Sequence, residues 1–291
     1  MPKLNEKAIL INVNLKKWGG TKVDKSLSEQ IGANHNVDEN QFSVTKKLTN
    51  NKWLKKIKKI DGQIRTDCIY SGAGYTGHCF AWDNQGTFML PVDAKELFEK
   101  KFTSYRDKRD VAVKNFIKEY PSIVEDAKAD LGSTYKDSDF PCETTIEEYF
   151  ACEVIKKPIP STDDIRVNLS AEEIKELKDN AKASEDAKML EITDSVVEKI
   201  QGVLGHFSEK IKSGEVFRDS TLNKVKALCE TLPSLNVASD PKIHDAHQKL
   251  MDIFAGNNIS PESLREDKDK AKDVADKSDA IISDLDGWLN D

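Results

Sequence analysis

Residues 93–121 read DAKELFEKKFTSYRDKRDVAVKNFIKEYP, and the spacing of their apolar side chains decides the fold class. Phe98, Phe102, Tyr105, Arg109, Ala112 and Phe116 recur at intervals of 4, 3, 4, 3 and 4. That is a heptad seam with one polar position. A helix carried from Asp93 to Tyr120 would be about 42 Å long at roughly 1.5 Å per residue. Pro121 is expected to break or kink it, with a short helical piece continuing to Gly132. Arg109 inside the seam reads in two ways. Either it pairs with a carboxylate and sets the register, which is the favoured reading, or the seam faces water there.

Upstream, Ala8 to Leu15 alternates, with Ile9, Ile11, Val13 and Leu15 on one face, as in a half-buried strand. Trp18-Gly19-Gly20 punctuates it with a turn. Ser26 to Asn40 is polar and irregular and reads as loop. A helix is expected from about Asp38 to Ile60, with Phe42, Leu48 and Trp53 among its apolar positions. Arg65 to Tyr70 and His78 to Trp82 read as the strands of a hairpin around Ser71–Gly77, and Thr87 to Leu90 as a further strand after the turn at Asp83–Gly86. Pro91 closes this β region.

Downstream, Phe150, Cys152 and Val154 alternate and predict a strand that could join the N-terminal one. Pro158 and Pro160, followed by Ser161 to Asp164, resemble a linker. Helices follow to the end. Ser170-Ala171-Glu172-Glu173 is a capping box. Ser220 to Leu232 places Leu222, Val225 and Leu228 on one face. Asp240-Pro241 and Ser260-Pro261 each supply a cap and a first-turn proline. The last helix spaces Leu264, Ala271, Val274, Ser278, Ile281, Leu285 and Trp288 near heptad intervals. The expected architecture is α+β and predominantly α: a small antiparallel β-sheet module, long amphipathic helices in a coiled-coil-like hairpin, and a helical C-terminal region. In sequence terms these are residues 1–92, 93–160 and 161–291.

Composition narrows the classes. With 38% hydrophobic and 33% charged residues, the chain suits helices with one apolar stripe and a broad solvated face. No run approaches the roughly 18 apolar residues that span a bilayer, and Asn12 and Asn14 interrupt any leader-like core. The expectation is a cytoplasmic protein without a membrane role. Five widely spaced cysteines, with no Cys-x-x-Cys, favour reduced thiols over a disulfide framework. Net charge is −7, yet residues 1–66 hold 14 Lys and Arg against 6 Asp and Glu, while residues 161–291 hold 28 acids against 18 bases. A basic start therefore meets an acidic helical end.

Motif look-alikes fail on context. Gly72-Ala73-Gly74-Tyr75-Thr76-Gly77 matches G-x-G-x-x-G, but a dinucleotide site needs a helix to start there, and Cys79 to Trp82 reads as strand. Cys68, His78 and Cys79 lack the paired spacing of a zinc site. His244 and His247 lie three apart on a helix, without the glutamate of a metalloprotease. No nucleophile–base arrangement is recognisable. The expectation is a non-enzyme with no cofactor and no metal.

The serious functional candidate is the basic segment Lys46, Lys47, Lys52, Trp53, Lys55, Lys56, Lys58 and Lys59. A lysine cluster with an aromatic suits nucleic acid or another anionic surface. The same pattern serves a solvated amphipathic helix, or one that docks on an acidic surface such as the chain's own C-terminal half, and contact with a partner protein is the remaining reading. Scarce arginine argues against base-specific readout. The second candidate is the seam itself, Phe98, Phe102, Tyr105, Arg109 and Phe116, as an interface for a protein partner or a second copy.

The strand leading into Trp18-Gly19-Gly20-Thr21-Lys22 resembles the W-x-G-x-K element of an uncharacterised bacterial and phage family known only as a domain of unknown function. The glycine-containing hairpin before Pro91, the Phe102/Tyr105/Phe116 helix ending at Tyr120-Pro121, and the Phe150–Val154 strand closing at Pro158 are similar to the same pattern. The likeness covers roughly residues 5–160. It departs at Gly20-Thr21, where that family commonly has a basic residue. The resemblance implies a phage or mobile-element origin and an adaptor role beside a MoxR-type AAA+ ATPase and a von Willebrand factor A protein. It implies no catalytic residue. The expected function is thus a non-enzymatic interaction or adaptor protein, with nucleic-acid binding through Lys46–Lys59 as the alternative.

Overall fold

A computed structural model describes residues 4–37, 41–72, 75–160, 170–213, 219–254 and 259–286. In chain order the elements are α1 (Leu4–Lys7), β1 (Ala8–Lys16), β2 (Thr21–Val23), α2 (Lys25–His35), β3 (Thr45–Lys47) and α3 (Lys52–Ile64). Then come β4 (Phe80–Ala81), β5 (Thr87–Pro91), α4 (Lys95–Leu131) and β6 (Ala151–Pro158). The C-terminal helices are α5 (Ala171–Lys212), α6 (Asp219–Leu235), α7 (Pro241–Phe254), α8 (Pro261–Glu266) and α9 (Lys268–Asp286). The fold is α+β and predominantly α, as the sequence predicts. Among the described residues two sheets form, one ordered β4-β5-β1-β6, in which β4–β5 and β5–β1 are antiparallel, and an antiparallel pair of β2 and β3. The β6 strand takes its expected place beside β1.

The chain forms two compact units interleaved in sequence: residues 1–12, 64–102 and 155–291, and residues 13–63 and 103–154. The three consecutive segments expected from the sequence do not coincide with them.

In the first unit, β1 pairs antiparallel with β5 in the register Ala8↔Pro91 to Asn12↔Thr87. Asn12 Nδ2 donates to Thr87 Oγ1 at 3.1 Å and fixes the end of that pairing. The core is mostly helical: Val196, Ile200, Leu204 and Phe207 of α5 pack with Leu222, Val225 and Leu232 of α6, Leu250 of α7 and Val274 and Ile281 of α9. Caps fix the helix starts. Ser170 and Glu173 form the predicted capping box, and Asp240 Oδ1 accepts from the Lys242 and Ile243 amides. The single last helix expected after Ser260 is two. Asp267 closes α8 and accepts from the Lys270 amide to open α9. The Pro158–Asp164 linker lies largely outside the described residues, as do Trp288 and the glycine-loop positions 73 and 74.

The predicted hairpin at residues 65–82 does not form. Arg65–Ile69 is a turn of π-helix continuing from α3. The returning chain donates from Thr76, Gly77, His78 and Cys79 to the carbonyls of Thr66, Tyr70, Cys68 and Ile69. The π turn frees those carbonyls, and the return segment satisfies them. A Cβ on Gly77 would lie 2.5 Å from the Ile69 and Tyr70 backbone, so only glycine allows the approach.

In the second unit, Trp18, buried after β1, meets Phe116, Tyr120 and Phe140 with ring centroids 5.8–6.2 Å apart. Phe150 closes on Phe116 at 5.5 Å. Gly20 has φ +65°, and a Cβ there would sit 2.6 Å from Leu54 Cδ2, which explains the glycine in the W-x-G element. Pro121 does not end α4, which runs on to Leu131. Phe116, Tyr120, Ile123 and Ala127 continue one buried stripe across the proline. That packing outweighs one missing backbone donor.

Two further expectations are corrected. Residues 25–35, read as loop, form α2, because Asp24 caps the Leu27 amide and Asn36 closes the helix in the left-handed conformation. The helix expected over 38–60 begins at Lys52; residues 38–40 lie outside the described residues, and the stretch from 41 to 51 contains β3 and no α-helix. Asn51 Oδ1 accepts from the Trp53 and Leu54 amides and so sets the start.

The seam is not one continuous stripe against a single partner. Phe98 and Phe102 are buried in the first unit, Arg109, Ala112 and Phe116 in the second, and Tyr105 is half-buried. Arg109 is 1% exposed and paired: its Nε donates to Asp61 Oδ1 at 2.7 Å and its Nη2 to the Lys16 carbonyl at 2.7 Å. Lys17 Nζ reaches Asp61 Oδ2 at 3.0 Å. Asp61→Ala should cost about 3–5 kcal/mol in chemical denaturation, because it strands a buried guanidinium. An Asp61→Leu/Arg109→Met double variant should lose less than Asp61→Ala alone.

Candidate functional site

The register of α3 sorts the basic segment by environment. Leu54, Ile57, Ile60, Asp61 and Ile64 are buried along one face. Lys52, Lys55, Lys56 and Lys59 are exposed and follow one another at i, i+3, i+4 and i+7, a single stripe. Among the described residues Lys55, Lys56 and Lys59 make no ion pair, and Lys52 stands 3.7 Å from Glu119. Side chains left this way keep their charge available to an external anion.

Trp53 anchors the stripe. Its Nε1 donates to Glu119 Oε1 at 2.7 Å, and Asn51 Nδ2 donates to Glu119 Oε2 at 2.9 Å. These two bonds, Trp53 first, hold the Glu119 carboxyl below its usual range. The Nζ atoms of Lys52 and Lys56 each lie 5.3 Å from the Trp53 ring centroid. Trp53 is therefore tied to α4 and shared by two lysines, not a free platform on which a base stacks.

Three predicted contact lysines leave the stripe. Lys46 is buried between Asp139 at 2.7 Å and Asp24 at 3.1 Å, and also donates to the Thr134 carbonyl at 2.7 Å. The Asp139 bond, above all, raises its pKa, and bonds from the Leu27 amide and Lys46 lower that of Asp24. Lys46 is thus a structural cation. Lys47 is exposed, but on β3. Lys58 turns back to the Gly19 carbonyl at 2.9 Å and holds the Trp18-Gly19-Gly20 turn.

The thiols and histidines are placed without a ligand set. Among the described residues the five cysteines form no disulfide, and Cys68, Cys79 and Cys229 are buried. His247 Nε2 lies 3.1 Å from the Cys229 carbonyl, and with His244 it lines a depression of about 440 Å³ near Lys7, Asp93 and Asn236. Among the described residues, no group of three or more His, Cys, Asp or Glu could hold a metal ion, and no helix is long and apolar enough to cross a membrane.

One buried group escaped sequence reasoning. Lys199 is 2% exposed in α5, its Nζ donating to the Gly77 carbonyl at 3.2 Å. Burial, with Lys101 nearby, lowers its pKa to about 8. Beside it His78 is fully buried, with neither ring nitrogen hydrogen-bonded, and burial chiefly, then the charges of Lys101 and Lys199, lowers its pKa to about 3. The signal for Lys199 was its position on the apolar stripe Ile192, Val196, Val203, at spacings of 4, 3 and 4.

No protein-family model, curated protein or solved structure matches this chain.

Lys199 has a measurable consequence. Between pH 10.5 and about 8 the unfolded chain binds the Lys199 proton and the folded chain does not. Its contribution to stability therefore falls as pH drops through that window and stays flat below it. At pH 7 the Lys199→Met variant should be more stable by about 2 kcal/mol: the lifted desolvation is roughly 3 kcal/mol, less about 1 for the unpaired Gly77 carbonyl. Thermal melts at pH 7 and pH 11 should show that gain shrinking at the higher pH.

Proposed function

We propose that this protein is a non-enzymatic binding protein whose α3 stripe engages the phosphate backbone of a nucleic acid without reading its sequence. One observation carries this: Lys52, Lys55, Lys56 and Lys59 form an exposed stripe on a helix whose opposite face is locked in a core. A rigid row of lysines meets phosphates at little ordering cost, and ammonium groups act as point charges without the bidentate fork that selects a base.

A partner-protein reading stands beside it, an adaptor for a MoxR-type AAA+ ATPase as the family resemblance implies. Its support in the chain is the acidic composition of residues 161–291, 28 acids against 18 bases. The heptad seam lends it less, since Phe98, Phe102 and Phe116 are covered by the chain itself.

The nucleic-acid reading predicts a steep salt dependence. With up to four phosphates neutralised, log K should fall with log salt at a slope of about −3 to −4 on duplex DNA. Lys55→Gln, Lys56→Gln and Lys59→Gln together should remove most of that slope in a fluorescence-anisotropy titration. The same exchange at the exposed α5 residues Lys175, Lys178 and Lys182 should leave it in place. A slope indifferent to the α3 lysines sinks the reading.

A further inference from the structure

The first unit carries a second surface of opposite character. Tyr70, Tyr75 and Phe88 line a pocket of about 280 Å³ together with Phe80, Cys79, Ile192 and the carboxylates of Glu191 and Glu198. The rings lie close and inclined: Tyr70 to Tyr75 at 5.5 Å and 62°, and Tyr70 to Phe88 at 5.9 Å and 58°. Tyr70 and Tyr75 are 37% and 42% exposed, a large open area for two rings that already touch. The lining contains two glutamates and no basic residue. Glu191 meets Lys188 at 2.8 Å, but Lys188 is not part of the lining, and among the described residues Glu198 makes no ion pair.

Aromatic faces attract cations through their quadrupoles, and carboxylates at the rim add charge and hydrogen-bond acceptors. At about 280 Å³ the pocket falls below the range of roughly 300–1,000 Å³ typical of cofactor and drug-sized sites, so it suits a single side chain. Arginine combines a planar face for stacking with a fork for a carboxylate, where an ammonium offers only a point charge. Its weak hydration also lowers the cost of entering an apolar lining.

We propose that this pocket receives an arginine side chain presented by a basic peptide segment of a partner protein. The guanidinium stacks against the Tyr70/Tyr75/Phe88 cluster, and Glu191 and Glu198 accept its N–H groups. The inference does not rest on the nucleic-acid reading, because the two surfaces demand ligands of opposite charge.

The test uses the full chain and two blocked pentapeptides, Gly-Gly-Arg-Gly-Gly and its citrulline counterpart, which keeps the shape and loses the charge. The arginine peptide should shift Tyr70 and Tyr75 ring resonances in a concentration-dependent NMR titration, and the citrulline peptide should not. Glu191→Gln with Glu198→Gln should weaken binding by about tenfold or more, as expected for the loss of two charge-assisted partners. Both glutamates are exposed, so the fold should hold, which an unchanged melting temperature would establish. Tyr70→Leu provides a second variant and should weaken binding without altering the charge. Equal binding of the citrulline peptide, unchanged affinity in the double-glutamine variant, or no binding at millimolar peptide would each overturn the assignment.

Discussion

An arginine cannot shed its proton to escape a dry environment, so burying Arg109 obliges the chain around it to supply an anion and acceptors in fixed places. Asp61 of α3 and the Lys16 carbonyl at the end of β1 do so, and Lys17 takes the other Asp61 oxygen. One guanidinium thereby sets α3, α4 and the last residues of β1 in a single register. The consequence reaches the surface. Once Asp61 is pinned, Leu54, Ile57 and Ile64 face the core, and Lys52, Lys55, Lys56 and Lys59 can only face water.

Three buried cations show how the same rule gives different outcomes. Lys46 is surrounded by two carboxylates and a carbonyl, so burial leaves it firmly charged. Lys199 has one carbonyl and the Lys101 cation nearby, so burial makes it a weaker base. Arg109 has an anion but no freedom to neutralise. What each contributes depends on the partners and not on the depth, since desolvation is repaid only by good hydrogen bonds. A lysine-rich segment therefore cannot be treated as one surface.

The long period-4/3 pattern from Phe98 to Phe116 and the capped helices after Ser170 were legible because burial on one helix face repeats over many turns. The strand at Ala8–Leu15 and its β6 neighbour were legible through strict alternation. The missed elements depend on single side chains. Asp24 starts α2 by capping the Leu27 amide and Asn51 starts α3 by capping those of Trp53 and Leu54, each a signal one residue wide. The π turn at Arg65–Ile69 has no period of its own and exists because the segment after Gly77 returns to bond its carbonyls. Of the candidate site, the lysine cluster was visible, but Lys46 and Lys58 could not be separated from the others. Their partners, Asp139 and the Gly19 carbonyl, lie 93 and 39 residues away.

The amino-acid sequence by itself determined the helical class, the apolar stripes and the presence of a basic segment, because periodicity and local caps act within a few turns of chain. Tertiary structure alone decided which lysines of that segment stay in water, that the carboxylate Arg109 pairs with is Asp61, and that Tyr70, Tyr75, Phe88, Glu191 and Glu198 share one pocket. Those outcomes depend on long-range partners that supply or withhold a countercharge, and no local pattern encodes who the partner will be.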